Sequence, residues 1–207
     1  METRVVTISH ATGAGGETIG HTVAAGLGFR YLDEEIITLA ARKEGVEAAL
    51  VADAERRKTF LERLFAGMTE AVHVAGVGGG TLVPDAVAPD ATLRSLIVEA
   101  IRETADRGDA VIVSHGAAIP LAGRRDVLRV LVTASAATRV RRAAQTGHGD
   151  AAAFIEDDDR ARADYFQRFY DLAVELPTHY DLVVNTDALS ADEAADIIVA
   201  AARRRGR

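Results

Sequence analysis

The sequence predicts an α/β fold: a five-stranded parallel sheet in three layers, with helices on both faces. Three observations predict it. Short apolar runs rich in β-branched residues, such as Val5 to Ile8, Ala110 to Val113 and Val127 to Val132, read as strands buried on both faces. Segments with apolar residues three and four apart lie between them, so successive strands need helical crossovers and pair in parallel. A glycine-rich segment, Gly13 to Gly16, follows the first strand and runs into a helix, which places a ligand at the carboxyl ends of the strands.

Taken in order, Val5 to Ile8 is the first strand and Thr18 to Leu27 the first helix, with Gly26 and Gly28 bracketing its end. Phe29 to Leu32 reads as a second strand. Asp33 stands where it would cap a helix over Glu34 to Lys43, whose Ile36, Ile37, Leu39 and Ala40 share one face. Phe60, Leu61, Leu64, Phe65, Met68 and Val72 give a further amphipathic helix, and a Phe65–Met68 face suits either internal packing or a homodimer. Gly78 to Gly80 and Pro84 to Pro89 read as loop or hinge. Helical spacing resumes at Leu93, Leu96, Ile97, Ala100 and Ile101 and stops near Gly108. Ser135 and Thr138 open a helix bearing Arg139, Arg141 and Arg142, and a long helix covers Ala151 to Leu172. The last strand lies within Tyr180 to Asn185, and Ser190 with Glu193 forms a capping box for the closing helix.

Composition narrows the functional classes. The 207 residues carry 24 Lys+Arg against 31 Asp+Glu, a formal charge of −7, which argues against broad electrostatic binding of nucleic acid. There is no cysteine, so disulfides, thiolate metal sites and cysteine nucleophiles are excluded. No apolar run reaches the length of a membrane span, and Met1 to Arg4 enters the first strand without a basic leader and apolar core. A cytoplasmic protein is expected.

A loop that enters a helix directs several backbone N–H groups one way, and the helix dipole adds positive potential, so the place suits a phosphate. Thr12, Gly13, Ala14, Gly15, Gly16, Glu17 and Thr18 are the candidate cradle, set against a purely structural glycine turn. The pattern G-x-x-x-x-G-K-[ST] is not matched: His10 stands at its first glycine, Gly16 at its lysine and Glu17 at its hydroxyl position. Thr18, one residue later, is the candidate hydroxyl for phosphate or Mg2+. A dinucleotide fingerprint starts at Gly13-x-Gly15 with Asp33 or Glu35 downstream. Thr18 at its third glycine, and a long turn from Ser9, disfavour it.

Several blocks together resemble the cytidylate kinase-like family of P-loop nucleoside monophosphate kinase-like proteins. They are Ile8-Ser9 with Gly13 to Gly20, Phe29 to Ile37, and Val111 to Ala117, where the family commonly has Gly-Arg-Gly-Ala. In the carboxyl half they are Arg139-Val140-Arg141-Arg142, Asp159-Arg160-Ala161-Arg162 with Tyr165, and Tyr180 to Thr186. The resemblance spans residues 5 to 200. It implies a P-loop NTPase-like fold with a core over 1–33 and 108–207, a helical acceptor-binding insert over 34–107 and a helical lid within 145–172.

It also implies transfer of a phosphoryl group from ATP to a nucleoside monophosphate, CMP or dCMP favoured, with Mg2+. Arg162, Asp159 and Arg142 are then the catalytic candidates. Arg139 joins the residues that hold the donor, and Asp33, His115 and Tyr165 face the acceptor. The family's arginines are replaced at His10, Glu17 and His115. The alternative is therefore a nucleotide-binding or regulatory protein on the same fold, without catalysis.

Other features have plainer readings. Glu156 to Asp158 read as solvated acids favouring the helix dipole, and Asp159 as the residue that orients Arg162. His10 and His115 suit phosphate, metal or proton chemistry, or simply structure. His21, His73, His148 and His179 are given no role. Phe166, Phe169 and Tyr170 read as core or interface, and Arg203 to Arg205 as a solvated helix end.

Overall fold

The computed structural model describes residues 2–33, 36, 89–114 and 116–204, with backbone alone for 89–93. Five strands form one parallel sheet: β1 (Val5–His10), β2 (Arg30–Leu32), β3 (Ala110–Val113), β4 (Val127–Thr133) and β5 (Leu182–Asn185). Their order is β2-β3-β1-β4-β5, with Val6 beside Val111 on one side and Leu128 on the other. The described helices are α1 (Gly16–Leu27), α2 (Pro89–Arg107), α3 (Ala136–Gln145), α4 (Ala151–Tyr170) and α5 (Ala191–Arg204).

Alternation along the strands builds two cores. Val5, Ala110, Ile112 and Val127 face one side, where Ile97, Ile101, Ala105 and Phe169 of α2 and α4 cover them together with Ile36. Val6, Ile8, Val111, Val113, Leu128 and Val130 face the other, under Ile19 and Val23 of α1 and Ile198 of α5. Coverage on both faces explains why β3 is apolar throughout and why the apolar runs of β1 and β4 are broken inside the sheet only by residues such as Thr7 and Arg129. The edge strand β5 is half exposed, and Val183 on it faces water.

Most predicted elements are present with ends moved by a few residues. β1 extends two residues past Ile8, and α1 begins at Gly16 because the glycine loop itself turns into the helix. α2 starts at Pro89, expected as loop; its fixed φ and missing N–H suit a first helical position. Ser135 caps α3 by accepting from the Thr138 N–H at 3.3 Å, and Ser190 and Glu193 make the predicted capping box. The predicted helices over Glu34 to Lys43 and Phe60 to Val72, the Gly78 to Gly80 loop and the Phe65–Met68 face lie outside the described residues, apart from Ile36. Among the described residues no helix is long and apolar enough to cross a membrane.

Candidate functional site

β1 is flanked by β3 and β4, and the chain reverses its direction of travel across the sheet there, so a crevice opens beyond its carboxyl end. The glycine loop fills that position. Gly13 (φ 80) and Gly15 (φ 85) are left-handed, a conformation that L side chains rarely adopt. Gly15 caps α1 without any side-chain hydrogen bond, which leaves the first-turn N–H groups of α1 for a ligand. A cavity of about 390 Å³ opens at this turn, lined by His10, Thr12, Gly13, Gly15, Gly16, Glu17, Thr18, Arg142, Ala143, Thr146, His148 and Phe154. Of the predicted cradle, only the buried Ala14 is turned away from that lining, into the core beneath α1 and α5.

Gly16 is fixed by close approach. A Cβ there would sit 2.5 Å from the His10 Cβ and closer still to the imidazole ring. The ring therefore occupies the space at the loop's lysine position. His10 Nε2 lies 3.4 Å from the Ser114 hydroxyl, and Ser114 itself is left-handed (φ 68) directly after β3. Burial, then the nearby Arg162 charge, lower the His10 pKa below its ordinary value of 6.5. The imidazole is neutral at neutral pH, so a cationic contact from His10 to phosphate is disfavoured there.

The arginines expected to meet phosphate are all engaged with the protein. Arg139, 8 % exposed, makes a two-point pair with Asp159 at 2.8 and 2.7 Å and reaches the Thr12 carbonyl at 3.4 Å. Its buried Nε has no partner. Asp159 thus orients Arg139, where the sequence suggested Arg162. Arg142 donates to the Gly13 carbonyl at 3.1 Å and to the Thr186 carbonyl and hydroxyl at 2.8 and 3.0 Å, while that hydroxyl donates to the Ala14 carbonyl. Arg139 and Arg142 consequently hold the loop from the α3 side through its own carbonyls. Within the loop the Ala14 N–H is spent on the Ala11 carbonyl at 2.9 Å, so the donors left for a ligand are the first-turn N–H groups of α1.

Arg162 lies farther along α4, over the end of β1. It pairs with Glu175 at 2.8 to 3.1 Å and donates to the Ser9 hydroxyl at 2.7 Å. The Glu175 carboxylate also accepts from the Ser9 and Tyr180 hydroxyls. Burial and the Glu175 charge push the Tyr180 phenol well up, so it stays protonated as a donor. Asp158, expected in solvent, accepts from the Thr12 hydroxyl. Glu156 and Asp157 do face solvent and pair with Arg160. Asp158, Asp159 and Arg162 therefore hold α4 against the loop and β1.

The remaining candidates separate. Asp33 directly follows β2, close enough to His10 for its charge to act there. Tyr165 stacks on Phe169 at 4.5 Å and meets Phe166 edge-on, so it belongs to the aromatic packing beside the α2–α4 core and away from the loop cavity. Burial first, then Tyr170, raise its phenol well above the usual range. His115 lies outside the described residues.

Among the described residues no group of three or more His, Asp and Glu gathers to hold a metal alone. The cavity instead offers the Glu17 carboxylate and Thr18 hydroxyl, a donor set that suits Mg2+ carried mainly by substrate phosphates. Sequence reading missed Ser9, Glu175, Tyr180 and Thr186. The signal for three of them was membership of family-like blocks, Ser9 in the first and Tyr180 and Thr186 at the ends of the last, and Glu175 had none.

This sheet order, with a glycine loop between β1 and α1, defines a P-loop kinase-like fold of the kind that acts on nucleotides or other small molecules. The family profile described as the cytidylate kinase-like family matches residues 5–188, and the chain belongs to that family. A search of curated protein sequences finds no significant match. Among solved structures, an uncharacterized protein from Eubacterium ventriosum aligns with TM-score 0.66 and 16% identity, over 97% of this chain and 98% of that one. A gluconokinase from Sinorhizobium meliloti aligns with TM-score 0.52 and 14% identity, over 100% and 95%. A sugar kinase from Janibacter aligns with TM-score 0.50 and 17% identity, over 96% and 93%. At these identities the likeness is one of fold.

Proposed function

We propose that the protein transfers the γ-phosphoryl group of ATP to a nucleoside monophosphate, CMP or dCMP favoured. The observation that carries this reading is the uncapped start of α1 behind Gly13 and Gly15, open to a cavity lined by Thr18 and Arg142. Membership of the cytidylate kinase-like family supports the acceptor class.

Such transfer is mainly positioning and charge neutralisation. In this reading the first-turn N–H groups of α1 hold the donor phosphates. Glu17 and Thr18 hold Mg2+, which when bound offsets phosphate charge. Asp33 and His115 face the acceptor. Arg139 and Arg142 keep the loop's carbonyls turned away from the phosphates. Arg162 exchanges Glu175 for the transferring phosphoryl group, its planar fork meeting two oxygens. An acceptor phosphate oxygen, already ionised, attacks the γ-phosphorus as the bond to the ADP oxygen breaks, so no general base is needed.

A second reading, nucleotide binding without transfer, is favoured by the His10 ring against Gly16. The space that a loop lysine would need is filled. Incubation with ATP, Mg2+ and each nucleoside monophosphate, with ADP and the diphosphate both measured, separates the two. Acceptor-dependent formation of both products supports transfer. ATP binding without products from folded protein supports the second reading.

A further inference from the structure

The cavity at the glycine loop has an aromatic wall that neither the family blocks nor the loop pattern assigns. His148 and Phe154 stack with ring centroids 3.9 Å apart and planes inclined by 5°, and both line the same cavity as Gly13, Gly15 and Thr18. The stack bridges the turn between α3 and α4. Gly147, with φ 90, lies two residues past the end of α3, and the His148 N–H returns to the Ala143 carbonyl at 3.4 Å. Asp150 then caps α4 by accepting from the Ala153 N–H at 3.0 Å. Phe154 packs on the small cluster of Ala143, Ala151 and Ile155, which fixes its ring from the helix side.

We infer that this pair is the base platform of the site: the phosphates of a nucleoside triphosphate lie on the glycine loop, and its heterocycle stacks against the His148–Phe154 wall. The inference rests on the reading that the glycine loop binds nucleotide. A phosphate subsite and a flat apolar subsite in one cavity of about 390 Å³ match a ligand with a charged tail and an aromatic head. Inorganic phosphate or a sugar phosphate would leave the wall unused. The structure also sets the selectivity. The Thr146 hydroxyl, on the same turn, donates to the Ala143 carbonyl at 2.9 Å, and Arg142 is engaged with Gly13 and Thr186. Stacking on a ring face tolerates any base, so adenine and guanine are accepted alike.

The test compares ATP, GTP and inorganic tripolyphosphate, each with Mg2+, by calorimetric titration of the whole protein. Variants Phe154→Leu, which keeps an apolar side chain on the cluster, and Phe154→Trp, which restores a face, are checked for folding by thermal melting. The expected result is that ATP and GTP bind the native protein within about threefold of one another and more tightly than tripolyphosphate. Phe154→Leu loses roughly 5- to 100-fold in ATP affinity with tripolyphosphate unchanged, and Phe154→Trp regains it. Retention of the ATP advantage in folded Phe154→Leu overturns the inference, as does equal binding of ATP and tripolyphosphate by the native protein. Binding of neither ligand overturns the nucleotide reading itself, and this inference with it.

Discussion

Arg162 of α4 and Glu175 form a two-point ion pair at 2.8 to 3.1 Å directly over the carboxyl end of β1, with the Ser9 hydroxyl joined to both. The carboxylate occupies the kind of place a phosphate would take: a guanidinium fork and two hydroxyl donors converge on it. In the proposed transfer Arg162 reaches the phosphoryl group by giving up Glu175, and the pair would set how readily it does so. Glu175→Gln is expected to raise affinity for Mg2+–ATP or to increase turnover several-fold, and to lower thermal stability modestly. Both side chains are about one-fifth exposed, so the lost pairing costs about 1–2 kcal/mol. Unchanged ligand affinity and turnover in folded Glu175→Gln would separate Arg162 from the phosphate site.

His10 and Gly16 make a matched pair. Gly16→Lys alone forces a side chain into the imidazole, at a cost of about 1–3 kcal/mol read from urea unfolding. The double variant His10→Gly with Gly16→Lys removes the obstruction and restores the glycine and lysine of the loop pattern. It is expected to recover stability relative to Gly16→Lys and to bind ATP more tightly than the native protein. Additive destabilisation in the double variant would show that the two positions do not share space.

Stability carries a histidine signature. The His10 pKa is lowered in the fold, so the unfolded chain binds more protons between the folded value and 6.5. The contribution is complete above pH about 6.5 and is lost as pH falls below it towards the folded value. His10→Asn is expected to flatten this part of the stability profile. Identical slopes below pH 6.5 for the two proteins, in urea unfolding at stepped pH, would contradict the assignment.

Arg139 and Asp159 join the loop to α4. Arg139 is nearly buried and Asp159 partly exposed, so their coupling lies between a surface pair and an interior one, about 1–3 kcal/mol in a double-mutant cycle with Arg139→Ala and Asp159→Ala. Asp159→Ala is also expected to weaken phosphate binding, since it releases the brace behind Thr12. A coupling near zero would remove the brace from the account.

The fold was legible wherever the signal was local. Val5 to Ile8, Ala110 to Val113 and Val127 to Val132 announce buried strands because both sheet faces are covered. Ser135, Ser190 and Glu193 announce helix starts because capping acts within three residues. The glycine loop was legible for the same reason. The arginines were legible as candidates but not in their partners: Arg139 with Thr12, Arg142 with Thr186 and Arg162 with Ser9 join residues far apart in the chain, and spacing carries no sign of them. Tyr165 shows the converse. Its place in a family-like block is legible in the sequence, and the Phe169 ring it stacks on lies one helical turn away in the same helix. The imidazole against Gly16 was hidden because side-chain volume across a turn leaves no mark in a pattern of residue types.

The glycine loop is the proposed phosphate site, and amide NMR during titration with Mg2+–ATP tests that most directly. The predicted result is saturable downfield movement of the Gly15, Gly16, Glu17 and Thr18 amide protons, reproduced by tripolyphosphate. Saturable binding that leaves these four amides unmoved would contradict it.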